Sequence, residues 1–343
     1  MLREGSCGCL EGESTAAPEG GADDTAPCAR TGRSRRRAWA ELLRLPALFS
    51  VPGDALAGTA ATGAAPNART LLAIGSSLCL YEAGMALNDW ADRDVDAVER
   101  PHRPLPSGRI RPAAALTAAC ALTGAGLALA SGAGRPALAV AVPLAATVWA
   151  YDLGLKHTPA GPVAMAAARG LDLLLGAAAT TGRTRPALPS AALLGTHTLA
   201  VTTVSRQEAQ GGSPLAPLAA LATTALLTRV VTHRPSEHRG ATALDHLGPG
   251  ANRPPGAAPG RKPAAHLTTA LAAAYVAATA RPYFHATLNP SPPLTQRAVG
   301  AGVRATIPLQ AALTARSKGT ATALLIAALA PLGARFAKKV SVT

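Results

Sequence analysis

The sequence predicts an all-α, polytopic membrane protein, and three observations carry that prediction. Hydrophobic residues fill 48% of the 343 positions, against 15% charged and only 3% aromatic. Most of that apolar mass is Ala and Leu in runs of about twenty residues, the length a helix needs to cross the hydrocarbon core. The basic residues, in turn, gather between the runs rather than inside them, as expected of connectors on the cytoplasmic face of a membrane protein.

Residues 1–37 are rich in Gly, Glu, Asp, Ser and Pro and end in a run of Arg. They contain no apolar stretch long enough for a signal-peptide core and read as a disordered tail. Residues 38–340 form the membrane domain. About nine spans are predicted, at 45–65, 68–87, 112–132, 136–155, 160–182, 186–204, 213–231, 266–288 and 319–336. Residues 235–263, dense in Pro, Gly and Arg, read as a flexible loop. Cys7, Cys9 and Cys28 fall in the tail and Cys79 and Cys120 in spans, without the fourth ligand and scaffold of a structural metal site.

A formal net charge of +14 raises the question of nucleic acid. Its distribution excludes that class: the Arg residues line no helical face with interleaved aromatics for base stacking. Arg30, Arg33, Arg35, Arg36, Arg37 and Arg44 precede the first span, and Arg93, Arg100, Arg103, Arg109 and Arg111 follow the second. Both groups place these segments in the cytoplasm, and the plasma membrane is the expected location.

The second span runs into Asn88-Asp89-Trp90-Ala91-Asp92-Arg93-Asp94-Val95-Asp96, four carboxylates in a chain poor in acids. If the helix continues, Asn88, Asp92 and Asp96 repeat at i, i+4, i+8, and Asp89 precedes Asp92 and Asp96 by three and seven residues. All four then share one broad face. Carboxylates so placed repel one another unless a hard cation sits between them, and Mg2+ takes one or two carboxylates while completing its shell with water and phosphate oxygens. The segment that follows, from Glu99 through Arg100, Arg103 and Arg109, adds guanidinium groups suited to bidentate phosphate binding. Acids plus arginines make a Mg2+-diphosphate site. The competing reading is a solvated helix end neutralised by neighbouring Arg.

Asn88-Asp89-x-x-Asp92-x-x-x-Asp96, followed by Arg100-Pro101-x-Arg103-Pro104-Leu105-Pro106-Ser107-Gly108, resembles the first Asp-rich motif of the UbiA superfamily of intramembrane prenyltransferases. Tyr151-Asp152-Leu153-Gly154-Leu155-Lys156 is similar to that family's Tyr-x-x-x-x-Lys segment. Arg169-Gly170-Leu171-Asp172-Leu173-Leu174-Leu175-Gly176 is similar to its next signature, with Asp172 where Asn is usual. The resemblance implies a helical bundle around a central cavity, a prenyl diphosphate bound through Mg2+, and Asp89, Asp92 and Asp96 as the metal ligands. It also implies Asn88, Arg100, Arg103, Tyr151, Arg169 and Asp172 as substrate-binding residues, with Lys156, Arg206 and Glu208 joining the acids in catalysis.

Where the family places a second motif, Asp-x-x-x-Asp, this chain reads Ser205-Arg206-Gln207-Glu208-Ala209-Gln210-Gly211-Gly212, with one acid. That form, together with Ile307-Pro308-Leu309-Gln310-Ala311-Ala312, resembles the EboC-like branch. The expected function is transfer of an isoprenoid chain to an unidentified acceptor. The alternative is a catalytically degenerate relative that binds lipid diphosphates or moves a metabolite across the membrane. Lys156 is open to a second reading as an interfacial anchor of its span, and Arg169 and Asp172 to one as an intrahelical ion pair. His157, His197, His233 and His285 show no ligand spacing.

Overall fold

The computed structural model describes residues 35–207, 212–233, 261–317 and 319–340. The predicted tail up to residue 34, Glu208 and residues 235–260 of the predicted loop lie outside them. Every regular element among the described residues is helical. In order these are α1 (residues 35–42), a 3-10 helix at Leu45–Ser50, α2 (Val51–Ala61), α3 (Ala68–Ala91), α4 (Arg93–Glu99), α5 (Pro112–Ala133) and α6 (Arg135–Leu153). There follow α7 (Gly161–Thr181), α8 (Leu188–Ser205), α9 (Leu215–Thr232), α10 (Arg261–Leu288), α11 (Pro292–Arg316) and α12 (Thr320–Val340).

Local chemistry fixes many of the boundaries. The Asn67 side chain accepts from the backbone N–H groups of Arg69 and Thr70 at 3.0 and 3.2 Å, and Thr70 Oγ1 accepts from Asn67 N at 2.9 Å. This capping box satisfies donors that the first turn of α3 leaves open. Proline sits in the first two positions of α5, α6, α7, α8 and α11, where its missing N–H costs nothing. Gly182, at φ 72°, ends α7 in the left-handed conformation that glycine adopts without strain.

Among the described residues six helices are long and apolar enough to cross a membrane: α3, α5, α6, α7, α8 with its leading turn, and α9. The predicted first span is instead the 3-10 helix plus α2, which has 11 residues and ends at Ala61, two residues before a turn at Gly63, φ 78°. The predicted last span coincides with α12, whose apolar part, Thr320–Gly333, is shorter than a full crossing. The 25-residue helix α11 was not expected. Arg297, Arg304, Arg316 and Gln310 dilute its hydropathy, yet its side chains from Ala305 to Ala315 are buried almost without a break.

Small residues let the helices approach to backbone contact, the packing mode expected where lipid removes the hydrophobic drive between helices. A Cβ on Gly58 would lie 1.9 Å from the Leu173 carbonyl oxygen, and one on Gly176 would lie 2.1 Å from that of Ala55. These reciprocal contacts lock α2 against α7. On the other flank, Ser76 Oγ donates to the Gly126 carbonyl at 2.8 Å and joins α3 to α5. Thr180 Oγ1 lies 2.8 Å from both Thr59 Oγ1 and Thr70 Oγ1, tying α2, α3 and α7 together at the end of the bundle remote from the acids. His197 serves this framework too: its ring nitrogens meet Tyr275 Oη at 3.0 Å and the Gly302 carbonyl at 3.1 Å, joining α8 to α10 and α11.

Candidate functional site

The acid cluster straddles a break between two helices. Asp92 closes α3 and opens α4 with φ −87° and ψ 2°, so the uninterrupted helix expected from the sequence is bent there. Backbone hydrogen bonds continue across the bend, from Asp92 N to Asn88 O at 2.9 Å and from Asp96 N to Asp92 O at 2.8 Å. The bend therefore changes direction without unwinding the chain, and Asp89 and Asp96 are both buried beneath it. Asp94 is left exposed, 3.5 Å from Arg93, and takes no part.

Asp89 and Asp96 each meet a cation of the chain. Arg103 Nη1 lies 2.6 Å from Asp96 Oδ2 and 3.5 Å from Asp89 Oδ1, so one guanidinium nitrogen is shared by the two acids. Arg100 adds a contact to Asp96 Oδ1 at 3.4 Å, and Arg44 one to Asp89 Oδ1 at 3.2 Å. Lys156 Nζ stands 2.5 Å from Asp92 Oδ1, a close meeting of charges rather than an aligned hydrogen bond. His157 approaches the same oxygen at 4.0 Å. Asn88 turns the other way and donates to Asp152 Oδ1 at 3.1 Å, which gives Asp152 a supporting place behind Lys156.

The connector 100–111 holds these groups as a cap. Ile110 N donates to Pro104 O and Gly108 N to Leu105 O, both at 3.0 Å, and Gly108 takes φ 72° to close the turn. Leu105 and Ile110 pack with Ala38 and Leu42 of α1 and Leu87 of α3. Arg109 then pins α1 across the cap through Glu41, Nη1 to Oε2 at 2.7 Å. Opposite, Arg206 at the end of α8 donates to the Thr158 carbonyl, two residues beyond Lys156. Tyr151 is faced by Asp152, Asp92 and Arg206. Lys156, Tyr151 and Arg206 are thus brought to one side of the cluster, and Arg44, Arg100 and Arg103 to the other.

Arg169 and Asp172 lie deeper, on α7. Asp172 accepts a hydrogen bond from Ser77, eleven residues and about 16 Å of helix before Asn88. Arg169 does not spend its charge on Asp172 as an intrahelical pair; its Nε lies 3.1 Å from Oδ2 of Asp54 on α2. Gln310 donates to Asp54 Oδ1 at 2.6 Å and to Ser50 O at 2.8 Å. Asp54 is fully buried, and sequence reasoning missed it because a lone acid in an apolar stretch has no spacing to betray it. Arg44 was read only as a topology signal, although its left-handed backbone, φ 47°, was the kind of local departure that often marks a functional position.

The donor chemistry suits Mg2+: hard carboxylate oxygens, two of them already converging on one positive centre. Among the described residues no three acidic, histidine or cysteine side chains are drawn into a preformed metal cage, because the chain's own cations occupy the carboxylates.

An all-helical bundle with an acid cluster at one end, ringed by Arg and Lys, defines the class: a helical membrane protein with a charged site at the end of its bundle. Comparison makes the class specific. Residues 48–232 match the UbiA prenyltransferase family, and the chain belongs to that family. It is similar to the digeranylgeranylglyceryl phosphate synthase of Methanothrix thermoacetophila, 38% identical over 112 residues, which cover 32% of this chain and 42% of the relative. The corresponding synthase of Methanopyrus kandleri is 36% identical over 128 residues, covering 36% and 45%. The chain thus spans less than half the length of these curated relatives. Among solved structures, a UbiA homolog from Aeropyrum pernix K1 superposes with TM-score 0.55 at 18% identity, covering 78% of this chain and 96% of the other. A homolog from Archaeoglobus fulgidus bound to GPP and Mg2+ gives 0.53 at 18%, covering 81% and 99%. Both share the fold.

Proposed function

We propose that the protein is a membrane-embedded, Mg2+-dependent prenyltransferase that moves an isoprenoid chain from a prenyl diphosphate to an acceptor nucleophile. The observation that carries this reading is the convergence of Asp89, Asp92 and Asp96 with Arg100, Arg103 and Lys156 at the mouth of an apolar bundle. The fold neighbour holding GPP and Mg2+ supports the same pairing of donor and metal.

In this reading Asp89, Asp92 and Asp96 hold Mg2+. Bound there, the ion neutralises the diphosphate and eases its departure. Arg103 and Lys156 leave their carboxylate partners to grip phosphate oxygens, and Arg206 reaches in from the same side as Lys156. Asn88 and Tyr151 shape the mouth, while Arg169 and Asp172 place polar contacts further down for the acceptor. The apolar walls keep water from the allylic cation, which otherwise hydrolyses. The Arg-rich connectors support a cytoplasm-facing mouth in the plasma membrane, and Ser205 to Gly212 supports the EboC-like branch.

The purified protein, given Mg2+ and a panel of prenyl diphosphates with candidate acceptors, is expected to release pyrophosphate, and Asp92→Asn to abolish that release. A second reading, a binding or translocating protein without turnover, is favoured by the single acid, Glu208, in the second motif. Tight binding of every donor with no pyrophosphate from any acceptor would establish it. A Glu208→Gln variant as active as wild type would remove Glu208 from the catalytic set.

A further inference from the structure

Only five carboxylates follow Glu99 in the whole sequence: Asp152, Asp172, Glu208, Glu237 and Asp245. Asp172 is committed to Ser77 deep in the bundle, and Asp152 is held by Asn88. Residues 261–340, which supply α10, α11 and α12, carry no acid at all. Among the described residues no second pair of carboxylates faces the first cluster, and the segment from Ser205 to Gly212 holds a single acid, Glu208. A guanidinium stands in place of such a pair: Arg206, held to the connector that carries Lys156 through the Thr158 carbonyl.

We infer that this protein binds its diphosphate with a single divalent ion and that Arg206 is the fixed positive charge which takes the place of a second. The inference rests on the function proposed above and refines its metal stoichiometry. Asp89, Asp92 and Asp96 are met by Arg44, Arg100, Arg103 and Lys156. Arg206 instead donates to the Thr158 carbonyl, so among the described residues its charge is not spent on a carboxylate and is left to offset a diphosphate. The geometry agrees with one ion, because Asp89 and Asp96 already share a single positive centre in Arg103 Nη1.

Arg206 acts on the diphosphate directly, as a charge-assisted donor fixed in position. A fixed guanidinium is present at every pH and metal concentration, so donor affinity should rise with the first power of the divalent ion concentration. A two-ion site rises more steeply.

The test is Mn2+ binding to the full chain in detergent or nanodiscs, read by electron paramagnetic resonance with and without a non-cleavable thiolodiphosphate analogue of geranylgeranyl diphosphate. One Mn2+ per chain in the presence of analogue, with no spin–spin broadening from a neighbouring ion, is the expected result. Two Mn2+ per chain would overturn this inference and leave the proposed function intact. Analogue bound with no Mn2+ would overturn both. For variants that retain the wild-type melting temperature, Arg206→Gln should weaken analogue binding about tenfold or more at unchanged stoichiometry, as the loss of one charge-assisted pair predicts. Arg206→Lys should recover part of that affinity. Unchanged affinity in Arg206→Gln would show that Arg206 is not the second cation. The wild-type stoichiometry decides the matter whether or not the variants fold.

Discussion

Two charged clusters in this molecule use the same chemistry to opposite ends. At the mouth, Asp89, Asp92 and Asp96 are met by Arg44, Arg100, Arg103 and Lys156, and two of those side chains are about half exposed, 41% for Arg44 and 49% for Arg100. Inside the bundle, Asp54 and Gln310 are 0% exposed and chain Ser50, Gln310, Asp54 and Arg169 together across four elements. Arg44 and Arg100, reaching in from solvent, can exchange one anion for another with little loss, since exposed pairs contribute about 0–1 kcal/mol. A buried pair cannot, because removing one partner strands the other's charge in a poorly solvated interior. That difference accords with the ligand site proposed for the mouth and with a structural role for the interior cluster.

Substitutions that separate activity from stability test this contrast. The largest effect is expected from Asp96→Asn, which should lower pyrophosphate release by about a thousandfold while the melting temperature stays near wild type. A variant that melts early would place Asp96 with the interior cluster instead. Next comes Asp54→Ala, expected to cost about 3–5 kcal/mol of stability because Arg169 loses its partner. It should be rescued in thermal melts by the paired change Asp54→Leu with Arg169→Met. Failure of the rescue would mean that the interior charges serve the ligand as well as the fold.

Smaller effects probe the packing that keeps the clusters apart. Gly176→Ala drives a methyl group against the Ala55 carbonyl and is expected to cost about 1–3 kcal/mol, measured by thermal unfolding in one detergent. Smallest is Arg44→Gln. With its partner oxygen also contacted by Arg103, the loss should be at most about 1 kcal/mol, seen as a few-fold rise in KM for the donor and no change in melting.

How far the sequence revealed these regions follows from their physics. The spans now seen as α3 and α5 to α9 were legible because their apolar runs approach or reach the length of a crossing. The mouth was legible because its acids recur at helical spacing next to clustered Arg. Helix α11 was hidden, since Arg297, Arg304 and Gln310 lower its hydropathy while packing makes it core. The partner of Arg169 was hidden too: Asp172 is near in sequence, but Asp54 lies 115 residues away and only tertiary structure joins them. The bend at Asp92 could not be read, because the residues on both sides favour helix and the backbone bonds persist through it.

The reciprocal glycine contacts between α2 and α7 have a mechanical consequence. Because each backbone rests in a notch of the other, neither helix can roll about its axis without driving a carbonyl oxygen into the opposing chain. That seam is a rigid wall of the bundle, and α2 and α7 move only as one plank. A covalent staple across α2 and α7 should therefore leave melting temperature and pyrophosphate release near wild type.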